Sequence, residues 1–248
     1  MTAMHPDEWQ LRCDLAACYR LFVHFGWTDL IFTHLSARVP HSADEYLINP
    51  YGLLFEEITA STLIKVRFDG TVVAGDYPVN TAGHHIHSAI LQARPDINVA
   101  LHSHTRAGIA VSCMPQGLLP LSQQAMEVIQ FVCYHDYAYS VDDPDYECRK
   151  LAEDIGTDWL MVMRNHGLLA AGRTVAEAFY YLYTLENACK VQVDVLAATD
   201  TPVLPAPDAV DAVARSTAMP ADGPAPFVQD SWRAVLRRLQ DSGSNWAT

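Results

Sequence analysis

Positive charge is scarce in this sequence. Its 248 residues hold 16 Lys and Arg against 29 Asp and Glu, a formal net charge of −13 at pH 7. No basic cluster stands out that could neutralise a run of phosphates, so nucleic acid is not an expected partner. Uninterrupted apolar runs of about twenty residues are missing too, which argues against a membrane span. The opening MTAMHPDEWQLRCD carries acids early. It has no basic start followed by an apolar segment, so no secretory leader is expected. Six cysteines (Cys13, Cys18, Cys113, Cys133, Cys148 and Cys189) are scattered without a C-x-x-C pair. In a chain this large they read as buried thiols of a cytoplasmic protein rather than as disulfide staples. Phosphate loops are absent as well: AGDYPVNTAG lacks both the GK[ST] ending and the G-x-G-x-x-G spacing.

Core material, by contrast, is plentiful. Half of the chain is apolar, enough for a single domain over residues 1–248. Leu11, Leu15, Cys18 and Phe22 recur at helical spacing before Gly26, which predicts an opening helix from Asp7 to Phe25. THLSARV and EYLINPYG alternate like half-buried strands, and LIKVRFDGTVV sets Asp69-Gly70 between two β-rich runs, a hairpin pattern. The period turns helical from Ala82 to Ala93, until Pro95 ends it. INVALHSH returns to strand, a second helix follows near Arg106 to Ser112, and DWLMVMRN reads as a buried strand. Thr174 and Glu177 form a T-x-x-E capping box for a long helix to about Ala198. Residues 199–226, rich in Ala, Pro and Asp, read as a surface excursion. SWRAVLRRLQ then reads as a docking helix with Trp232, Val235 and Leu239 on one face. Strands and helices interleave throughout, which predicts a layered α/β fold.

Histidine is concentrated: NTAGHHIHSAILQARPDINVALHSHT holds five of the chain's eleven. His102 and His104 stand two apart in a predicted strand, so both imidazoles share a face and suit one divalent ion. Two ordinary polar residues at a strand end would show the same spacing. His166, in MVMRNHGLL, follows an apolar strand and precedes Gly167, which permits a tight turn. On the predicted helix, His84 and His87 share a face and His85 points elsewhere.

Several segments together resemble the class II aldolase/adducin family: NTAGHHIHSAILQARPDINVALHSHTRAGIAVS, RNHGLLAAG, TVAEAF, YLINPYGLLFEEITASTLIKVRFDG and SWRAVLRRL. The resemblance covers nearly the whole chain. It implies a three-layer α/β/α sandwich with a largely antiparallel central sheet. It also implies a homotetramer with active sites between subunits. His102, His104 and His166 are then the ligands of a divalent ion, zinc ahead of manganese or iron, in a site that keeps positions open.

The chain departs from the family's sugar-phosphate aldolases at a telling place. Those enzymes carry a P-S-S-E stretch ahead of a helix, the Glu serving as acid/base. Asn80, Thr81, Ala82 and Gly83 stand there in this sequence, and a glycine moves no proton. Thr33-His34 likewise replaces the Gly-Asn of the phosphate pocket. Asn80, Thr81, Gly83 and His34 remain candidate substrate contacts. His84, beside the lost carboxylate, is the candidate replacement acid/base, and His87 reads as a supporting helix residue. In FVCYHDYAYSV, His135 and Tyr137 fall where family members line the site. Tyr137 is a candidate proton donor, and Glu127 is the best-placed remaining acid. His5, His24 and His41 read as surface residues.

The implied activity is metal-dependent C–C cleavage in an unphosphorylated hydroxylated or keto carboxylic acid, with the ion stabilising an enolate. Decarboxylation fits Gly83 better than retro-aldol cleavage, because loss of carbon dioxide needs no base to deprotonate a hydroxyl. Two alternatives stand beside it: an iron oxygenase on the same histidines, and a non-catalytic adducin-like interaction module, which would have no need of three ligands in register.

Overall fold

The computed structural model describes residues 4–248 except 139, 141, 142, 144, 218, 221, 222 and 242. One sheet organises these residues. Its strands are β1 (His34–Arg38), β2 (Glu45–Ile48), β3 (Ile64–Arg67), β4 (Val72–Ala74), β5 (Val99–Ser103), β6 (Val132–His135), β7 (Leu160–Met163) and β8 (Gly167–Gly172). They lie in the order β4-β3-β2-β1-β5-β8-β7-β6. Every neighbouring pair is antiparallel except β6 with β7. One face is covered by α1 (Pro6–Phe25), α3 (Arg106–Ser112), α4 (Gln123–Val128), α6 (Val175–Ala198) and α8 (Pro226–Asp241). The other is covered by α2 (Thr81–Ala93) and α5 (Tyr146–Ile155). The result is the expected α/β sandwich.

Alternation along the strands decides what each face receives. Leu35 and Ala37 of β1, Val99 and Leu101 of β5, and Leu168 and Ala170 of β8 enter the larger core beneath α1 and α6. Ala100, Leu169 and Ala171 enter the core beneath α2 and α5. By the same period of two, His34, Ser36 and His102 turn to the α2 side. The polar site is therefore built into the sheet face that α2 covers.

The periodic segments fold as predicted, with small differences that have physical causes. Thr174 caps α6 by accepting from the Glu177 N–H at 3.2 Å. The Glu177 carboxylate does not return the bond to Thr174. It accepts instead from the Arg173 backbone N–H at 2.8 Å and from its guanidinium, a charge-assisted competitor. The 199–226 excursion contains a further helix, α7 (Pro207–Ser216), opened by a proline whose φ is already helical. β8 escaped the sequence reading because GLLAAG is buried on both faces and shows no alternation. All six cysteines are free, but only Cys18 and Cys189 are buried and Cys113 is exposed, which corrects the expectation of six buried thiols. Among the described residues no helix is long and apolar enough to cross a membrane.

Gly167 has a different role from the one expected. The left-handed residue of the β7–β8 turn is Asn165, with φ 58°. Gly167 is needed for close approach, because a Cβ there would lie 2.3 Å from the Ser103 carbonyl oxygen of β5. Gly167→Ala is expected to push β8 off β5 and cost about 1–3 kcal/mol, read as a lower urea midpoint at unchanged slope. Parental stability in that variant would contradict the contact.

Candidate metal centre

His102 lies near the end of β5, His104 just beyond it, and His166 in the β7–β8 turn, so two adjacent strands bring the three together. One ring nitrogen from each gathers within 4.8 Å of the others. The His166 ring sits 4.8 Å from that of His102 and 4.9 Å from that of His104.

The outer nitrogens set the tautomers. His102 Nδ1 is 2.9 Å from the Leu168 carbonyl oxygen, and His104 Nδ1 is 2.9 Å from Asp29 Oδ2. Carbonyl and carboxylate oxygens only accept, so each Nδ1 carries the proton and each Nε2 presents a bare lone pair. Those two Nε2 atoms face each other at 2.9 Å. Two lone pairs so placed repel unless a cation or a proton lies between them. A proton on His102 is disfavoured at neutral pH. Burial, reinforced by His34, His166 and His104, holds His102 well below the ordinary imidazole range. Burial first, then His104 and His135, brings His166 down to about 4. Three imidazole nitrogens, two of them on rings with hydrogen-bonded outer atoms, fit zinc, manganese or iron(II) without choosing among them.

A second histidine group adjoins the first. His34 pairs across the sheet with His102, and their rings stack at 5.1 Å and 26°. His34 Nδ1 is 2.7 Å from His87 Nε2, and His87 Nδ1 is 2.5 Å from Ser36 Oγ. All three side chains are buried. Burial keeps both imidazoles neutral, pushing His34 well below its usual value and His87 down to about 3. Gly83 closes the arrangement, since a Cβ on it would lie 2.5 Å from His34 Cδ2 and 2.8 Å from Cγ. The His34 ring therefore fills the room that any side chain at position 83 would take.

The other candidates are distributed unevenly. Asn80 caps α2, its Oδ1 accepting from the Ala82 and Gly83 N–H groups, and Thr81 is exposed at the helix start. Neither is hydrogen-bonded to the three histidines. His84 turns away from them: its Nδ1 is 2.7 Å from Tyr46 Oη, and its ring lies against Gly70 in the β3–β4 turn. Tyr137 does reach the cluster, its ring 5.9 Å from His166. His135 Nδ1 is 2.8 Å from Asp154 Oδ2. Glu127 sits on α4, paired with Gln123, across the sheet from His102. His5 and His41 flank Asp7 at the surface, and His24 is exposed. Asp29 belongs to no motif, and Ser36, in the Leu35-Ser36 pair that follows Thr33-His34, carries no local sign of its contact with His87. Asp29 lies in an irregular loop where Leu30 and Thr33 take left-handed backbone, φ 51° and 69°.

The model of the class II aldolase and adducin N-terminal domain matches residues 13–193 of this chain. The chain belongs to the class II aldolase and adducin family. It is 50% identical over 187 residues to a Pseudomonas aeruginosa protein named for class 2 aldolases, covering 75% of this chain and 71% of that one. It is 42% identical over 254 residues to alpha-adducin of Rattus norvegicus, covering 97% of this chain and 34% of the adducin. A solved aldolase II superfamily protein from Pseudomonas syringae is 43% identical, with TM-score 0.92 over 99% of this chain and 98% of that one.

Asp29→Ala removes the acceptor that fixes His104. Zinc affinity is expected to fall roughly ten- to a hundredfold in competition with a chromogenic chelator, and undiminished affinity would contradict the tautomer assignment. His87 is neutral when folded, its pKa lowered from 6.5 to about 3. Below pH 6.5 the unfolded chain binds the proton first, so stability present above that pH is lost progressively as pH falls towards the folded value. Urea melts of metal-free protein from pH 7 to 4 should show the decline, and a flat profile would contradict the buried neutral imidazole.

Proposed function

We propose that the protein is a divalent-metal-dependent lyase that breaks a C–C bond in an unphosphorylated hydroxylated or keto carboxylic acid, by decarboxylation in preference to retro-aldol cleavage. The observation that carries this reading is the facing pair of bare Nε2 atoms on His102 and His104, with no carboxylate at position 83. His102, His104 and His166 would hold the ion. When bound, it supplies Lewis acidity that stabilises the negative charge left as the carbon–carbon bond breaks.

The remaining work falls to the chain's own groups. The Leu168 carbonyl and Asp29 keep two ligand rings in the required tautomer. The His34 ring takes up the room where a carboxylate base would stand, and hydroxyl deprotonation, which retro-aldol cleavage needs, loses its usual agent. Loss of carbon dioxide needs only a later proton, and Tyr137, whose ring lies 5.9 Å from that of His166, is the donor in this reading. His84, engaged with Tyr46, is the weaker candidate for that step. Substrate contacts are assigned to His34, Asn80, Thr81 and the Gly83 backbone. Zinc as the ion, a homotetramer with sites between subunits and a cytoplasmic location extend the reading from family membership. The likeness to alpha-adducin over 97% of the chain favours one second reading, an interaction module without catalysis.

Zinc- or manganese-loaded protein is expected to release carbon dioxide from a member of a hydroxylated carboxylic acid panel. Tyr137→Phe should retain the metal and lose about a hundredfold in turnover. Fully loaded protein inert across the panel would contradict the lyase and favour the module.

A further inference from the structure

We propose that His34 receives the substrate's carboxylate through its Nε2–H, from the ring that takes up the space of a side chain at position 83. This rests on the hydroxy-acid reading above. The ring is fixed from three directions: its face lies on His102, its edge against Gly83, and its Nδ1 on His87. With Nδ1 engaged, Nε2 is the polar atom left for a ligand, 3.0 Å from where a Cβ at position 83 would stand and on a ring stacked against His102.

The groups behind His34 can set the proton on Nε2 without charging any member. The Ser36 hydroxyl donates into His87 Nδ1, His87 Nε2–H donates into His34 Nδ1, and His34 Nε2–H remains as donor. An anion before Nε2 selects this direction, because the reverse one would set a lone pair against it. The donor thus comes without the desolvation of a buried cation. A carboxylate side chain at position 83 would instead repel an incoming carboxylate. Position 34 therefore discriminates in favour of acids over their neutral analogues. A purely structural histidine pair would be indifferent to the ligand's charge.

The test is isothermal titration of zinc-loaded protein with 2-hydroxybenzoate and with 2-hydroxybenzamide, which share a ring and a hydroxyl and differ in the carboxylate. The acid's advantage over the amide is expected to fall about tenfold in His34→Phe, the scale of one hydrogen bond to a charged group. Zinc content should be that of the parent, and the amide, whose neutral carbonyl accepts a weaker hydrogen bond, should lose less affinity than the acid. His34→Gln, which restores an N–H donor, is expected to recover most of the advantage. An unchanged advantage in His34→Phe overturns the inference and leaves the hydroxy-acid reading standing, whereas binding of neither compound to the parent overturns both. Should His34→Phe not fold, Gly83→Ala serves the same comparison, because its Cβ displaces the His34 ring. An advantage unchanged in that variant likewise overturns the inference.

Discussion

Two imidazole lone pairs held 2.9 Å apart are the constraint around which this molecule is organised. Neither ring can escape by changing tautomer, because a main-chain carbonyl and a carboxylate claim the opposite nitrogens. Such an arrangement costs free energy in a metal-free chain, and the surrounding fold holds it in place. β5 delivers His102 with its side chain to the α2 face. β8 lies close enough to supply the Leu168 carbonyl, because Gly167 has no Cβ to press on Ser103. The irregular loop after α1 brings Asp29 beneath His104. Together these elements keep three nitrogens at ligating separation.

The chemistry of the site is shaped as much by what fills position 83 as by the ligands. His34 is a strand residue and Gly83 a helix residue, yet they share one volume. A side chain at 83 and an imidazole at 34 cannot both be present in this geometry. The chain has the imidazole, backed by His87 and Ser36, and so presents a neutral wall where an acid would have stood. Under the proposed lyase reading, that exchange is the physical basis for favouring a carboxylic acid as substrate over one that needs a hydroxyl deprotonated.

Much of this was legible in the amino-acid sequence, though unevenly. The helices at Pro6–Phe25 and Thr81–Ala93 and the Asp69-Gly70 hairpin announce themselves through period and turn residues. The ligand histidines do so through a spacing of two on a strand and a histidine at the end of an apolar strand. β8 was hidden because burial on both faces erases alternation. The partners Asp29 and Ser36 were hidden because nothing local marks a residue whose importance arises from a contact across the fold. Helical spacing put His84 and His87 on one face, and their contacts differ. Residues three apart share a face only loosely, and here His87 reaches beneath the sheet to His34 while His84 turns to Tyr46.

The account stands or falls on whether His102, His104 and His166 hold a divalent ion. The most direct measurement is elemental analysis with X-ray absorption on protein purified without added metal or chelator. The account predicts about one divalent ion per chain, bound by imidazole nitrogens at roughly 2.0–2.1 Å if the ion is zinc. Protein that carries no stoichiometric metal, and takes up none on reconstitution with zinc, manganese or iron(II), would contradict it.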